Sequence, residues 1–360
     1  MANTILTSTK VTRKAAMILH QKLNFIQRCN LQYDDQFKAD EKIGTTLKVR
    51  LPNENTVRTG LTMTAVDVPE TSVDLVMATV KGVDMNFTSL ELALSLDDFA
   101  DRILEPAMSV LAANIEADAL NMYKDVYNLY DGDAAAFSFS SVANGRQLLT
   151  DNLAPMSQRT LTLNTTHATK FQIDTKGLFH SSDQIKQQYT EGMMGRTSGF
   201  ECFENTLLVP HTTGTAAKAT TYLTNGATQS GSSITVDTGA TTFAQGDVIT
   251  FAGVFRVHPE TKVSTGVLQQ FVFTAAYAGG AGNIAIAPAL TATGVRQNVS
   301  NTVADNSAIT KVGAGASETL VQSLTFHKNA FAFVTGDLPL PNGRDWARRE
   351  NIEGLSVSLI

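Results

Sequence analysis

Apolar residues at Val11, Ala15, Ile18, Leu19, Leu23 and Ile26 recur every three or four positions, the spacing of one helical face. They predict an amphipathic N-terminal helix within residues 7–28. Thr45 to Leu51 alternates instead, with Leu47, Val49 and Leu51 on one side and Lys48 and Arg50 on the other. Ser72 to Val80 alternates again, Val73, Leu75 and Met77 facing away from Asp74. Between these strands lie Pro52-Asn53-Glu54-Asn55 and a polar stretch through Pro69, so the pair reads as a long two-stranded excursion. Such a ribbon is marginal alone and rests on something else. A third run, Val83, Met85 and Phe87, leads to Ser95-Leu96-Asp97-Asp98, a capping-box-like helix start. Leu104, Met108, Leu111, Ile115, Ala119, Met122 and Val126 then mark one stripe, enough for about seven turns or roughly 40 Å. Pro106 should kink this helix or mark its first turn.

After Asp131-Gly132-Asp133 come a shorter helix near 141–152, a strand at 159–164 and a mixed region to Pro210. The character then changes, with eleven charges in the 118 residues from Thr212 to Asn329 and abundant Thr, Gly and Ala. Short β-type runs at 233–236, 247–251, 270–273 and 284–286 alternate with Gly-bearing turns, which predicts a small antiparallel β-domain or barrel. The chain returns through Leu324, Phe326, Phe331 and Phe333 and ends in the alternating run Gly354 to Ile360.

A length of 360 residues, 43% of them hydrophobic and 17% charged, fits two or three folded domains. No run of about 18 apolar residues exists to cross a bilayer, and the first residues lack a secretion-signal core, so no membrane is expected as a partner. Charge is segregated: residues 1–58 hold ten Lys/Arg against five Asp/Glu, whereas 59–135 hold three against fourteen. Opposite blocks can neutralise each other within one chain or join one subunit to the next; ordinary solvated faces that happen to segregate are the bland alternative. A basic stretch followed at once by a more strongly acidic one is a poor nucleic-acid footprint.

Candidate chemistry is sparse. The six histidines (His20, His167, His180, His211, His258, His327) are scattered, with no pair at ligand spacing on one helix face. Cys29 and Cys202 lie far apart with no second Cys or close His, which indicates neither a disulfide framework nor a zinc site. The glycine clusters at 279–282 and 313–315 lack the Lys-Ser/Thr of a phosphate loop and read as turns. Asp131-Gly132-Asp133 lacks the Glu that completes a calcium loop, and Asp97 and Asp98 suit the field at a helix N-terminus better than acid-base work. No catalytic, cofactor-binding or metal residue is assigned and no cofactor is expected.

Three stretches carry a resemblance. Val83-Asp-Met-Asn-Phe-Thr-Ser-Leu-Glu-Leu-Ala-Leu-Ser-Leu-Asp-Asp-Phe-Ala-Asp-Arg-Ile-Leu-Glu-Pro-Ala-Met108 resembles the strand-to-spine-helix passage of podophage coat proteins, within the major capsid protein family of tailed bacteriophages. Gln245-Gly-Asp-Val-Ile-Thr-Phe-Ala-Gly-Val254 is similar to a strand of that subfamily's inserted β-barrel, and 324–341 is similar to the return into the capsid fold. The resemblance implies an α+β tailed-phage capsid fold with peripheral and axial domains. Its parts would be an N-terminal arm with an amphipathic helix (1–43), an extended two-stranded loop (44–80), and the strand and spine helix of the peripheral domain (81–135, the helix at about 96–130). An axial-domain region (136–211), an inserted β-rich domain (212–319) and a return to the capsid core (320–360) would follow. Because the family usually continues past the point where this chain stops, a shortened last sheet is expected.

The function this implies is a major capsid protein that self-assembles, in pentamers and hexamers, into the icosahedral head of a tailed phage. It would work with scaffolding and portal proteins in the host cytoplasm and would enclose double-stranded DNA without sequence-specific binding. Basic arm and basic loop would dock on acidic surfaces of adjacent subunits, many weak copies adding up. Lys48, Arg50 and Arg58 on the loop, against Asp97, Asp98, Asp101 and Glu105, are the expected inter-subunit residues. One rival is a phage tail or carbohydrate-binding β-rich module, weakened by 7% aromatic content and a single Trp346. A second is an enzyme whose site is assembled from separated residues.

Overall fold

The computed structural model describes residues 8–33, 46–55, 57, 60–63, 70–77, 79–85, 99–131, 137–175, 195–313, 315–336, 347–352 and 355–359. The chain divides into two compact units, one formed by 1–52, 70–120 and 328–360 and the other by 53–69 and 121–327.

In the first unit, helix α1 (Ser8–Lys22) buries Val11, Ala15, Leu19 and Leu23, the predicted stripe. It packs on helix α2 (Glu105–Leu120) and on the hairpin of β15 (Arg348–Ile352) and β16 (Leu355–Leu359). The helix expected as an arm for a neighbouring subunit therefore has its apolar face covered by its own chain. It also ends earlier than the periodicity predicts, and residues 26–28 form a separate 3₁₀ turn. The cause is Glu116, whose carboxylate takes the backbone N–H groups of Asn24 and Phe25 that a continuing helix would have donated to its own previous turn. Phe25 and Ile26 turn inward, Phe25 meeting Phe331 edge to face at 5.5 Å.

The spine helix is a composite. A π-helical turn at Ala100–Leu104 runs into α2 and a 3₁₀ stretch follows at Asn121–Asp125. Pro106 sits at the second position of α2, where its missing N–H coincides with the change of hydrogen-bond register. The expected reach to about 130 is not met: Leu129 has both its N–H and its carbonyl bound by the Gln270 side chain, at 2.8 and 2.9 Å. The buried face of α2 carries Met108, Ala112, Glu116 and Ala119 or Leu120, one position round from the predicted Leu111 and Ile115. The third predicted strand is also absent where it is described. Residues 79–85 are irregular because Lys81 lies along α2, its Nζ on the Asn114 carbonyl (2.9 Å) and the Asp118 carboxylate (2.5 Å); Phe87 and the helix start at 95–98 fall outside the described residues.

Strands β1 (Thr46–Arg50) and β2 (Ser72–Val76) form the two-stranded antiparallel ribbon, Leu47 opposite Leu75, Lys48 opposite Asp74 and Val49 opposite Val73. The Leu51 N–H to the Thr71 carbonyl, 2.9 Å, extends the pairing.

In the second unit, helices α3 (Phe139–Asp151) and α4 (Thr165–Thr175) accompany a four-stranded sheet. Its order is β14 (Leu324–His327), β3 (Arg159–Leu163), β5 (Phe200–Glu204), β4 (Arg196–Thr197), with β3 and β5 parallel. Every residue of β3 is buried, and Val142, Leu161, Leu163, Phe171 and Phe200 form the core beside it.

The low-charge region folds as a closed six-stranded antiparallel barrel. It comprises β7 (Ala219–Thr224), β8 (Gly231–Asp237), β9 (Val248–Val257), β10 (Ser264–Phe273), β11 (Gly282–Leu290) and β12 (Ala308–Lys311), closed in the order β10-β11-β8-β7-β12-β9. Tyr222, Ile234, Phe251, Phe271, Phe273 and Ile284 fill it, each fully buried large side chain contributing about 1.5–3 kcal/mol. Phe243 and Phe273 stack at 4.4 Å. The chain passes into and out of the barrel through the short pair β6 (His211–Thr212) and β13 (Thr319–Leu320).

Candidate functional site

The alternation of β1 aims Lys48 and Arg50 outward and leaves Leu47 and Val49 half-buried. Arg50 is 81% exposed and pairs at 3.3 Å with Glu70, itself mostly exposed, a contact worth little in water. On β2, Val73 and Val76 are more than half exposed, and farther round the loop Val57, Leu61 and Met63 are almost bare. A basic, apolar-studded ribbon of this kind buries too little to hold itself.

The acidic half of the expected pairing is placed in part. Arg58, Asp97 and Asp98 lie outside the described residues. Asp101 is exposed on the π-helical turn. Glu105, at the start of α2, already has a cation of its own chain: Lys22, at the end of α1, donates to it at 2.8 Å. That hydrogen bond, aided by the charges of Lys22 and Lys14, lowers the Glu105 pKa. The opposite charge blocks thus meet in cis at this point, because α1 lies against α2.

Three polar constellations escaped the sequence reading. One is Glu116, 2% exposed in the first unit. The second gathers around Asp247, whose side chain is fully buried. One of its oxygens lies 3.0 Å from His211 Nε2, and the other accepts the N–H groups of Gly214 (3.0 Å) and Ala244 (2.8 Å). His211 Nδ1 lies 3.3 Å from the Tyr123 hydroxyl, and the buried Lys311 donates to Thr213 Oγ1 at 3.3 Å and to the Gly315 carbonyl. Burial lowers the Lys311 pKa, opposed by the charges of Asp247 and Glu318. These bonds pin the two chain passages of the barrel together. The third is a charge cluster in which Glu54 meets Lys262 at 3.2 Å and Arg296 at 3.9 Å. A sequence signal existed only for Asp247, which follows Gly246 in a left-handed turn.

A cleft beside the second constellation is lined by Tyr123, Leu129, His211, Asp247 and Gln322. Asp247 there has protein partners on both oxygens, His211 Nε2 on one and two backbone N–H groups on the other, so it orients backbone. Among the described residues, no group of three or more His, Cys, Asp or Glu could hold a metal ion, and no helix is long and apolar enough to cross a membrane. Burial pushes the thiol of Cys29 to about 12, with a further push from the Glu116 charge, and that of Cys202 to about 11. Neither is an activated nucleophile.

A family model described as P22 coat protein, gene protein 5, matches residues 30–358. Among solved structures, a chain titled Mycobacterium phage Che8 is similar at 14% identity with a TM-score of 0.39, covering 85% of this chain and 91% of that one. A CUS-3 coat protein I-domain is similar at 23% identity with a TM-score of 0.20, covering 28% of this chain and 94% of that one. No curated protein sequence matches.

Proposed function

The chain belongs to the P22 coat protein family and is the major capsid protein of a tailed phage, and from that premise we propose that its exposed β1–β2 ribbon is the element that joins subunits into an icosahedral head. The family's role is structural, self-assembly into the virion capsid. On the proposed reading the chain is not an enzyme. It forms pentamers and hexamers with itself, assembles in the host cytoplasm with scaffolding and portal proteins, and encloses double-stranded DNA without reading its sequence. The acidic balance of the chain suits a wall that does not grip its packaged DNA.

In this reading residues 1–43 are the arm, 44–80 the extended loop, 81–135 the peripheral strand and spine helix, 136–211 the axial region, 212–319 the inserted β-domain and 320–360 the return. Lys48, Arg50 and Arg58 dock on acidic residues of a neighbour, Asp97, Asp98 and Asp101 foremost, with Glu105 shared between its own Lys22 and that contact. The observation that carries the reading is the ribbon: two strands bearing outward cations and uncovered valines, a surface that a second copy of the chain would cover. Each contact is weak, and the lattice multiplies it.

The test is the double charge reversal R50E with R58E. The expected result is a folded subunit by circular dichroism that sediments as a monomer and gives no shells by electron microscopy, with or without scaffold. Normal shells from that variant would falsify the ribbon's role.

A further inference from the structure

Glu54 lies just after β1, where the loop leaves the ribbon, and its carboxylate is received by two turns of the barrel. The first turn joins β9 to β10 and is strongly preorganised. The His258 N–H meets the Val263 carbonyl and the Lys262 N–H meets the His258 carbonyl, both at 2.9 Å, while His258 Nδ1 accepts from Glu260 and Thr261 at 3.3 Å. Lys262 itself has φ +57°, a left-handed backbone that a lysine adopts only when its surroundings hold it. The second turn follows β11, closed by the Gln297 N–H on the Gly294 carbonyl at 3.2 Å. It supplies Arg296 and the Gln297 carbonyl, to which Lys262 Nζ also donates at 3.3 Å. Lys262 is thus tied to both turns, its side chain only 15% exposed. The two turns place two cations around one carboxylate.

Among the described residues of this part of the loop, Val57, Leu61 and Met63 are 96%, 101% and 79% exposed, so apolar burial adds little hold at these positions. A contact made by charge pairs near the surface is cheap to release. We propose that the turns carrying Lys262 and Arg296 form a carboxylate cradle that holds the extended loop by Glu54 in the unassembled subunit and yields it to a neighbouring copy on assembly. The release half rests on the reading of the loop as the assembly element; the tether itself does not.

The experiment is hydrogen exchange on the unassembled full-length subunit, comparing wild type, E54Q, E54K and the charge swap E54K with K262E. Removing the charge should raise exchange of peptides covering 53–63 by roughly threefold to tenfold, and the swap should restore protection. Molar salt should bring wild type to the E54Q level and leave E54Q unchanged. Equal exchange in wild type and E54K, or a swap that restores nothing, overturns the tether. The same variants are then assembled with scaffold and followed by light scattering, where E54Q should change the initial rate severalfold. Raised exchange with an unchanged assembly rate supports the tether and overturns the loop's part in assembly, so the two failures are distinct.

Discussion

The carboxylate of Glu116 reaches across 92 residues of sequence to the backbone N–H of Asn24, 3.1 Å from each oxygen, and also takes the N–H of Phe25. An ionised group with 2% of its surface in water is tolerable only because these donors replace its hydration. In return it fixes where α1 stops and turns Phe25 into the core.

Removing that acceptor takes a hydrogen bond from two amides, the buried one of Phe25 and the part-buried one of Asn24. E116A should lose about 2–4 kcal/mol of stability, whereas E116Q, which keeps one carbonyl oxygen in place, should lose about 1 kcal/mol. Urea melts of the unassembled subunit check both. Equal losses from the two variants would show that packing, not acceptance, is what matters at this position.

Asp247 makes a sharper distinction between its variants. With asparagine, Oδ1 can accept from Gly214 and Ala244 while Nδ2 donates to His211 Nε2, provided the imidazole moves its proton to Nδ1 and gives it to the Tyr123 oxygen. D247N should therefore cost about 1 kcal/mol and switch the His211 tautomer, visible in nitrogen chemical shifts, whereas D247A should cost about 3–5 kcal/mol by orphaning three donors. A D247N protein with the tautomer unchanged would contradict this account.

His167 on α4 stacks on Phe137 at 4.2 Å, and its Nδ1 lies 2.8 Å from the Ser323 hydroxyl. Burial first, and the nearby Lys170 charge second, bring its pKa down to about 4. The unfolded chain titrates this group near 6.5. Stability from the neutral ring is thus complete above pH 6.5 and is lost as pH falls toward 4, by about 2–3 kcal/mol. The pKa of His327 is lowered as well, by burial and then by Arg159, and adds in the same direction. H167N should remove most of the acid slope, read from denaturant midpoints between pH 7 and 4.

The two thiols predict the alkaline limb. Cys29 and Cys202 stay protonated to about 12 and about 11 in the folded chain, whereas unfolded thiols ionise near 8.5–9. Their contribution is intact below that value and declines as pH rises through it toward the folded values. Ellman's reagent at pH 8 should find no fast thiol in the native subunit and two in denaturant. A fast native thiol would locate an opening at the 3₁₀ turn that Cys29 caps or at β5.

Short runs between turn signals made α3, β3 and several barrel strands legible. Period-two and period-three-to-four patterns made α1, β1 and β2 legible, because alternation or helical spacing records which side chains share a face. Lys48 and Arg50 were readable as outward cations for the same reason. Glu116 was not: a carboxylate beside Ile115 on a helix reads as solvated, and only a distant, kinked backbone makes it a core residue. The Glu54 cluster was equally hidden, since Lys262 and Arg296 are more than 200 residues away and nothing local marks a turn lysine as an anion receptor. Barrel closure, too, depends on pairings such as β12 with β9 and β7 that no local pattern announces.

That closure has a consequence for a protein meant to be crowded. A subunit in a shell wall sits against many copies of itself at very high local concentration, where any open strand flank is a template for unplanned β-addition and fibre growth. The Thr- and Gly-rich third of this chain would be the most exposed to that hazard if its strands lay in an open sheet. Rolled into a ring of six, each strand lies between two neighbours, so the segment richest in β-structure offers no edge strand as a template.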